Sequence, residues 1–345
     1  MTVLGELVGI DGRTVLVAGQ ELDLAHGRPD VANALVHRTG DTLVLVDTGV
    51  TQPFRAALRE AAERVGPWSR VLLLTTHGHA DHVGNNDLAD ALGAPAEHYV
   101  PAPDLGQMRD PVAYWTRAFE RVAGLGVLPG PPRDTAERVV SLFRPLRPFG
   151  ATTRTYEELP PERIRIGSLR FGGWTFADGA VRVLRSQGHT AGHVVVHLRD
   201  YGVLHLSDEA NGPCGPMADA DQLKLQTVLG SAACLLEEGG AEVLTDGHTF
   251  ALRRGAAAVS HLDRMLDQAA ALHAAALELA AGPGPVHPDA FVAGVAEAAT
   301  ALGVTGANPN PLFTAMMAVN LLHDLGLRPG SATPAAPWSR PGARP

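Results

Sequence analysis

The chain has 345 residues, 45% apolar and 19% charged, with a formal charge of −9. That is enough apolar material for one large core plus an appendage, and the acidic balance disfavours a nucleic-acid partner, whose phosphates need a basic face. Two cysteines, Cys214 and Cys234, make no disulfide framework and fit a reducing compartment. The first twenty residues lack the basic start, apolar centre and cleavage site of a secretory signal. No apolar run reaches the ~20 residues of a membrane span, so a cytoplasmic protein with no membrane partner is expected.

The first part reads as strands broken by turns. "TVLVAG", "VANALVH" and "TLVLVDTG" are short β-branched runs bounded by Gly, Asp and Asn. "PFRAALREAAERVG" predicts a helix, with Pro53 suited to its first turn and Gly66 to its end. "VLLLTT" follows as a strand apolar on both faces, hence interior to its sheet. A short helix is expected over Asn86 to Leu92.

From about 100 to 162 the composition shifts to Pro and Arg, and "DPVAYWTRAFERVAGLG" and "RDTAERVVSLF" have helical spacing. This segment is read as a helical insertion forming a wall or lid. Tyr114 and Trp115 lie in it, either packing it to the core or lining a cleft. Strands resume with "RIRIG", "VRVLRS", "HVVVHL" and "YGVLHLSD"; a helix near Asp221–Glu238 leads to the strand "AEVLTD". A catalytic domain is therefore expected over 1–255. It is followed by a helical region over 256–328, which packs on the main domain or on another subunit. The Pro/Ala/Gly-rich 329–345 reads as a disordered tail.

The chemistry concentrates in "TTHGHADHVGN", directly after the "VLLLTT" strand. Imidazole nitrogens and carboxylate oxygens are the donors of Zn²⁺ and Fe²⁺ sites. Residues two apart in an extended segment project to one side, so His77 and His79 can grip one ion. A turn through Ala80 then presents Asp81 and His82 to a second, with Gly78 and Gly84 freeing the backbone to make it.

"HGHADH" resembles the His-x-His-x-Asp-His signature of the metallo-β-lactamase superfamily. The later parts of that pattern occur in order: Asp47 in "LVLVDTG", His189 in "QGHTAGH", Asp208 in "LHLSDEA" and His248 in "VLTDGH". The resemblance covers about residues 30–250. It implies an α/β fold, a four-layer αβ/βα sandwich, with His77, His79 and His189 on one metal. Asp81, His82 and His248 would take a second, and Asp208 would bridge them. Asp47 would hold a ligand loop from behind. His193, four residues after His189, competes as a ligand, but the family pattern favours His189. His197 and His205 read as half-buried strand residues, Glu209 as a solvated or hydrogen-bonded neighbour, and Cys214 as packing.

The resemblance further implies two divalent ions per chain, zinc or an iron/zinc mixture. A bound ion lowers the pKa of its water from ~15.7 to ~7, so a hydroxide is available to attack a carbonyl, with Asp81 a catalytic residue that orients it or passes on its proton. "GHTAGH" is similar to the glyoxalase II-like and lactonase-like branches. The expected function is thus hydrolysis of a thioester, ester or lactone, on a small-molecule or carrier-bound acyl substrate. A diiron O₂-activating oxygenase on the same fold is the alternative, with a phosphodiesterase behind it.

Overall fold

The computed structural model describes residues 3–23, 26–166, 169–249, 251–282, 284–304, 311–331 and 333–340. Two seven-stranded sheets face each other. The first runs in sequence order from β1 to β7: β1 (Leu7–Gly9), β2 (Thr14–Val17), β3 (Ala34–Thr39), β4 (Thr42–Val46), β5 (Arg70–Leu74), β6 (Ala96–Val100) and β7 (Thr153–Thr155). The second holds β8 (Glu162–Ile166), β9 (Leu169–Phe176), β10 (Val181–Arg185), β11 (Val194–Leu198), β12 (Val203–His205), β13 (Val243–Thr245) and β14 (Arg253–Arg254), also in order.

Strand alternation sorts the apolar side chains into layers. Leu16, Leu35, Val44, Val46, Leu72 and Leu74 point between the sheets, against Trp174, Val181, Val183, Val194 and Val196. Val15, Val17, Leu43, Leu45 and Leu73 point the other way, onto helix α1 (Gln52–Arg64) through Phe54, Leu58 and Ala61. A short helix α2 (Ala80–Val83) follows β5. The insertion supplies α3 (Leu105–Arg109), α4 (Pro111–Glu120) and α5 (Pro132–Ser141). The outer face of the second sheet is covered by α6 (Gln222–Glu237) and the first half of α7 (Ala256–Leu279). The result is the expected four-layer αβ/βα sandwich.

The expected strands and helices form, but with additions. β6 and β7 lie at the start and near the end of the 100–162 stretch, so its last part returns to the first sheet through β7 pairing with β6. β9, "LRFGGWTF", carries two glycines that hide its strand character. A Cβ on Gly173 would come within 2.2 Å of the Val183 carbonyl oxygen, so the pairing with β10 needs a bare backbone there.

The insertion and the C-terminal helices share one apolar core. Trp115 and Phe119 of α4 and Val140 of α5 pack with Leu272 of α7, Phe291 of α8 (Pro288–Ala301) and Met316 of α9 (Pro311–Asp324). Asn320 of α9 anchors this cap. It accepts from Arg121 at 2.8 Å and donates to the carbonyls of Gly215 and Met217 at 2.9 and 2.7 Å. The expectation of a disordered tail fails for residues 333–340. Trp338 is 2% exposed and exchanges backbone hydrogen bonds with Val286, and β15 (Arg328–Pro329) pairs with β16 (Trp338–Ser339). One large indole buried in the cap outweighs the Pro/Ala composition around it; residues 341–345 lie outside the described residues. No described helix is long and apolar enough to cross a membrane.

Candidate metal centre

The strand order decides where the signature residues go. β4 and β5 are parallel, so the loops after them, with Asp47 and with His77 to His82, leave the same edge. In the second sheet β12 and β13 are parallel and deliver Asp208 and His248 together. β11 is antiparallel to β12, so the turn before β11 brings His189 to that end as well. The sheets are tied across by Val194 donating to the Thr76 carbonyl at 2.9 Å and Asn33 donating to the Gly247 carbonyl at 2.7 Å.

All seven residues expected as ligands converge in two groups. His77, His79, His189 and Asp208 offer donor atoms lying within 4.8 Å of one another, as do Asp81, His82 and His248. In the first group His79 Nδ1 lies 2.9 Å from His77 Nε2 and 3.2 Å from His189 Nε2. In the second, Asp81 Oδ2 is 3.4 Å from His82 Nε2 and 3.3 Å from His248 Nε2. Asp208 sits between them: Oδ2 is 3.4 Å from both His189 and His248, and Oδ1 is 3.2 Å from His82.

The donor set fits metal ions. His82 Nε2 and Asp208 Oδ1 are buried and make no hydrogen bond, a cost that proteins avoid unless something else fills the coordination. Three imidazole nitrogens packed edge to edge present lone pairs to one another, which a cation relieves. Burial, reinforced by the neighbouring imidazoles, keeps His77 far below the ordinary histidine range, hence neutral as a ligand must be. Burial opposes charge on Asp81 and Asp208, but the surrounding His82 and His248 win, holding Asp81 at about 2 and Asp208 well below the usual range.

The surrounding residues hold these rings in place. Asp47 adopts a left-handed φ of 59°. Its carboxylate accepts from the Thr76 amide at 2.8 Å, from the Thr76 hydroxyl at 2.7 Å and from His82 Nδ1 at 2.8 Å. His193 is not in either donor group. Its Nδ1 faces the Ser186 hydroxyl at 2.8 Å and Glu209 at 3.3 Å, and its ring stacks on His77. Glu209 is fully buried rather than solvated. It accepts from the Gly188 amide at 2.8 Å, and burial pushes its carboxyl up to about 7. His197 and His205 are buried, not half-buried, bonded to the Gly240 carbonyl and the Thr245 hydroxyl.

Gly78 and Gly84 have a different role from the turn expected of them. Neither has a positive φ; a Cβ on Gly78 would strike Gln107 and Asp104 at 2.8–2.9 Å, and one on Gly84 would strike Val50 at 2.5 Å. Close approach, not turning, requires glycine.

Sequence reasoning missed four acidic residues of the site. Asp104 is 1% exposed and ties the two histidine loops together, accepting from the Gly78 amide, the Thr190 hydroxyl and the Gly192 amide at 2.9–3.0 Å. Asp30 faces His248 Nδ1 at 3.4 Å. Asp246 accepts from the His248 amide at 3.1 Å and from Arg253 at 3.0 Å. Asp219 accepts from the Tyr114 hydroxyl at 3.2 Å. Only the spacing of Asp246 before His248 offered any signal.

A cavity of about 520 Å³ opens over the metal centre. Asp81, His79, His189 and His248 line one end. The cap supplies much of the rest, largely apolar: Trp115, Phe119, Val139, Phe143, Phe313 and Met317 among others. Cys214 also lines it, buried, with its thiol pushed up to about 12 by burial and by Asp324.

No curated protein matches the chain in sequence. Among solved structures it is similar to a metallo-β-lactamase family protein from Thermus thermophilus, at 22% identity over 96% of this chain and 100% of that one, with a TM-score of 0.58. A β-lactamase domain protein from Burkholderia ambifaria matches at 16% identity over 99% and 96%, TM-score 0.58. A stereoselective inverting sec-alkylsulfatase from Pseudomonas sp. matches at 18% identity over 93% of this chain but 50% of its own length, TM-score 0.57. At these identities the likeness is one of fold. A sequence profile described as the metallo-beta-lactamase superfamily matches residues 27–280. With the profile spanning most of the sequence and the sandwich shared with these structures, the chain belongs to the metallo-β-lactamase superfamily.

Proposed function

We propose that the protein is a hydrolase with two divalent ions, zinc or an iron/zinc pair, acting on a thioester, ester or lactone of an acyl group with a substantial apolar body. The observation that carries this reading is the convergence of seven donors, six of them buried, with five lining an otherwise largely apolar cavity. His77, His79 and His189 would hold one ion, Asp81, His82 and His248 the other, with Asp208 shared. Such ions supply Lewis acidity toward a carbonyl oxygen and a water acidic enough to ionise near neutral pH. The chain's own residues do the rest. Trp115, Phe119 and Phe313 bind the acyl body and exclude water from the reacting end. Asp81, ionised and facing the cavity, is placed to take a proton from the attacking water and hand it to the leaving group.

The test is metal analysis followed by assay against thioester, lactone and phosphodiester panels. Two ions per chain with turnover of an acyl substrate supports the reading. One ion at full loading sinks the two-metal proposal. Turnover confined to phosphodiesters sinks the acyl one. A coloured protein that consumes O₂ with a reductant replaces hydrolysis by the oxygenase alternative.

A further inference from the structure

We propose that Tyr114, a residue of the inserted α4 and not of the signature motifs, is a positioning residue for the first metal group: its hydroxyl fixes His79 in the ring orientation that turns Nδ1 to an ion. The inference rests on the metal-centre reading above.

His79 uses its two nitrogens for opposite purposes. Nδ1 faces the donor cluster, 2.9 Å from His77 Nε2 and 3.2 Å from His189 Nε2. Nε2 faces the Tyr114 hydroxyl at 3.2 Å, and that hydroxyl donates to Asp219 Oδ1, also at 3.2 Å. The chain of donors has one consistent sense. Asp219 only accepts, so the phenol gives it the proton and offers its lone pair to His79. Nε2 must then carry the imidazole proton, which leaves Nδ1 bare.

Packing cannot do this alone. Trp115 stacks on the same imidazole at 5.7 Å and 29° and fixes the plane of the ring. A stacked plane is equally satisfied after a half-turn about the Cβ–Cγ bond, which would put a carbon where Nδ1 belongs. A polar partner at the far nitrogen separates the two states from outside the donor cluster. Asp219 extends the same constraint to the second loop, since its Oδ2 accepts from the Ala191 amide at 3.1 Å, two residues beyond His189. Tyr114 and Asp219 thus tie two ligands, from different sheets, to the cap. The cap itself is rigid at that point, with α4 capped by Asp110 on the Ala113 amide and packed through Trp115 and Phe119.

The experiment is competition for Zn²⁺ against a chromophoric chelator, with Co²⁺ absorption as a second probe. It compares wild-type protein, Tyr114→Phe, Asp219→Asn and the double variant. Phe keeps the ring and loses one oxygen. We expect Tyr114→Phe to weaken the first metal about 10–100-fold, the usual cost of losing a partner behind a ligand, and to alter the Co²⁺ spectrum. The metal-free denaturation midpoint should stay at the wild-type value. Because the two groups act in series on His79, while Asp219 also holds the Ala191 amide, the double variant should lose less than the sum of the two single losses. A Tyr114→Phe affinity within about twofold of wild type, additive losses in the double variant, or a metal-free midpoint that falls along with the affinity would overturn the proposal. Wild-type protein that takes up no metal overturns this proposal together with the reading beneath it, whereas wild-type uptake with unchanged Tyr114→Phe affinity overturns this one alone.

Discussion

Asp47 and His82, both fully buried, meet at 2.8 Å, and the same carboxylate reaches His77 indirectly through the Thr76 hydroxyl, 3.1 Å from His77 Nδ1. One side chain therefore stands behind a candidate ligand in each donor group. Its position has a left-handed φ, which Asn tolerates better than most residues. Asp47→Asn should preserve the fold while weakening both metals, by about 10–100-fold for the one on His82. Chelator competition measures it. Unchanged affinity at both sites would show the contact to be structural only.

His189 and His193 should behave differently. His189 Nε2 is in the donor cluster, whereas His193 Nδ1 faces Ser186 and Glu209. His189→Ala should lose the first metal and reduce turnover by orders of magnitude, because an ion left with too few strong protein ligands becomes labile. His193→Ala should keep most of its metal and lose stability instead, since it leaves Glu209 buried beside an empty space. Metal content and denaturation midpoints of the two purified variants decide it; the reverse pattern would exchange their roles.

Trp115 closes the cavity beside His79. Trp115→Ala should lower kcat/KM about tenfold or more for long-chain acyl substrates, since each Å² of apolar surface left in water costs ~25 cal/mol. Short-chain substrates should change much less. An equal loss on both would mean that the indole holds the cap together and does not read the acyl chain.

Acid stability should fall through buried neutral histidines remote from the metal centre. Burial lowers His37 and His197 from an ordinary 6.5 to about 4 each. The unfolded chain gains protons below pH 6.5 that the folded one refuses until about pH 4. The stability present above pH 6.5 is therefore lost progressively between those values, on the order of 3 kcal/mol for each group at ~1.4 kcal/mol per unit. Denaturant titrations of metal-free protein across that window should show a shallower pH slope in His37→Gln. Parallel slopes would assign the lability to other groups.

Trp338 gives the tail a stability role. Its indole donates to the Pro334 carbonyl at 3.1 Å and is buried in the cap. Trp338→Ala should cost about 3–5 kcal/mol, as large aromatic truncations in cores do, read as a shift in the denaturation midpoint. A midpoint at the wild-type value would return this segment to the disordered tail that its composition suggests.

Four of the seven candidate donors were legible as residues in one loop, and His189, Asp208 and His248 only through the ordered pattern of the family that the chain resembles. "HGHADH" states four donors in six residues, and the period-2 and 3.6 patterns set the layers that flank them. The residues that hold those donors were not legible. Asp104, Asp219 and Tyr114 lie 26 to 88 positions from the rings and loops they steady, and nothing in a single chain marks an aspartate as buried before the loops around it close. The cap shows the same division. Helical spacing announced α4, α5 and the C-terminal helices, but only packing revealed that they share one core and that α4, α5, α8 and α9 wall one cavity. Local periodicity is a property of neighbours in sequence and survives in any context. Which apolar face meets which, and which lone carboxylate is stripped of water and aimed at a backbone amide, is decided by contacts between distant segments, and those exist only once the chain has folded.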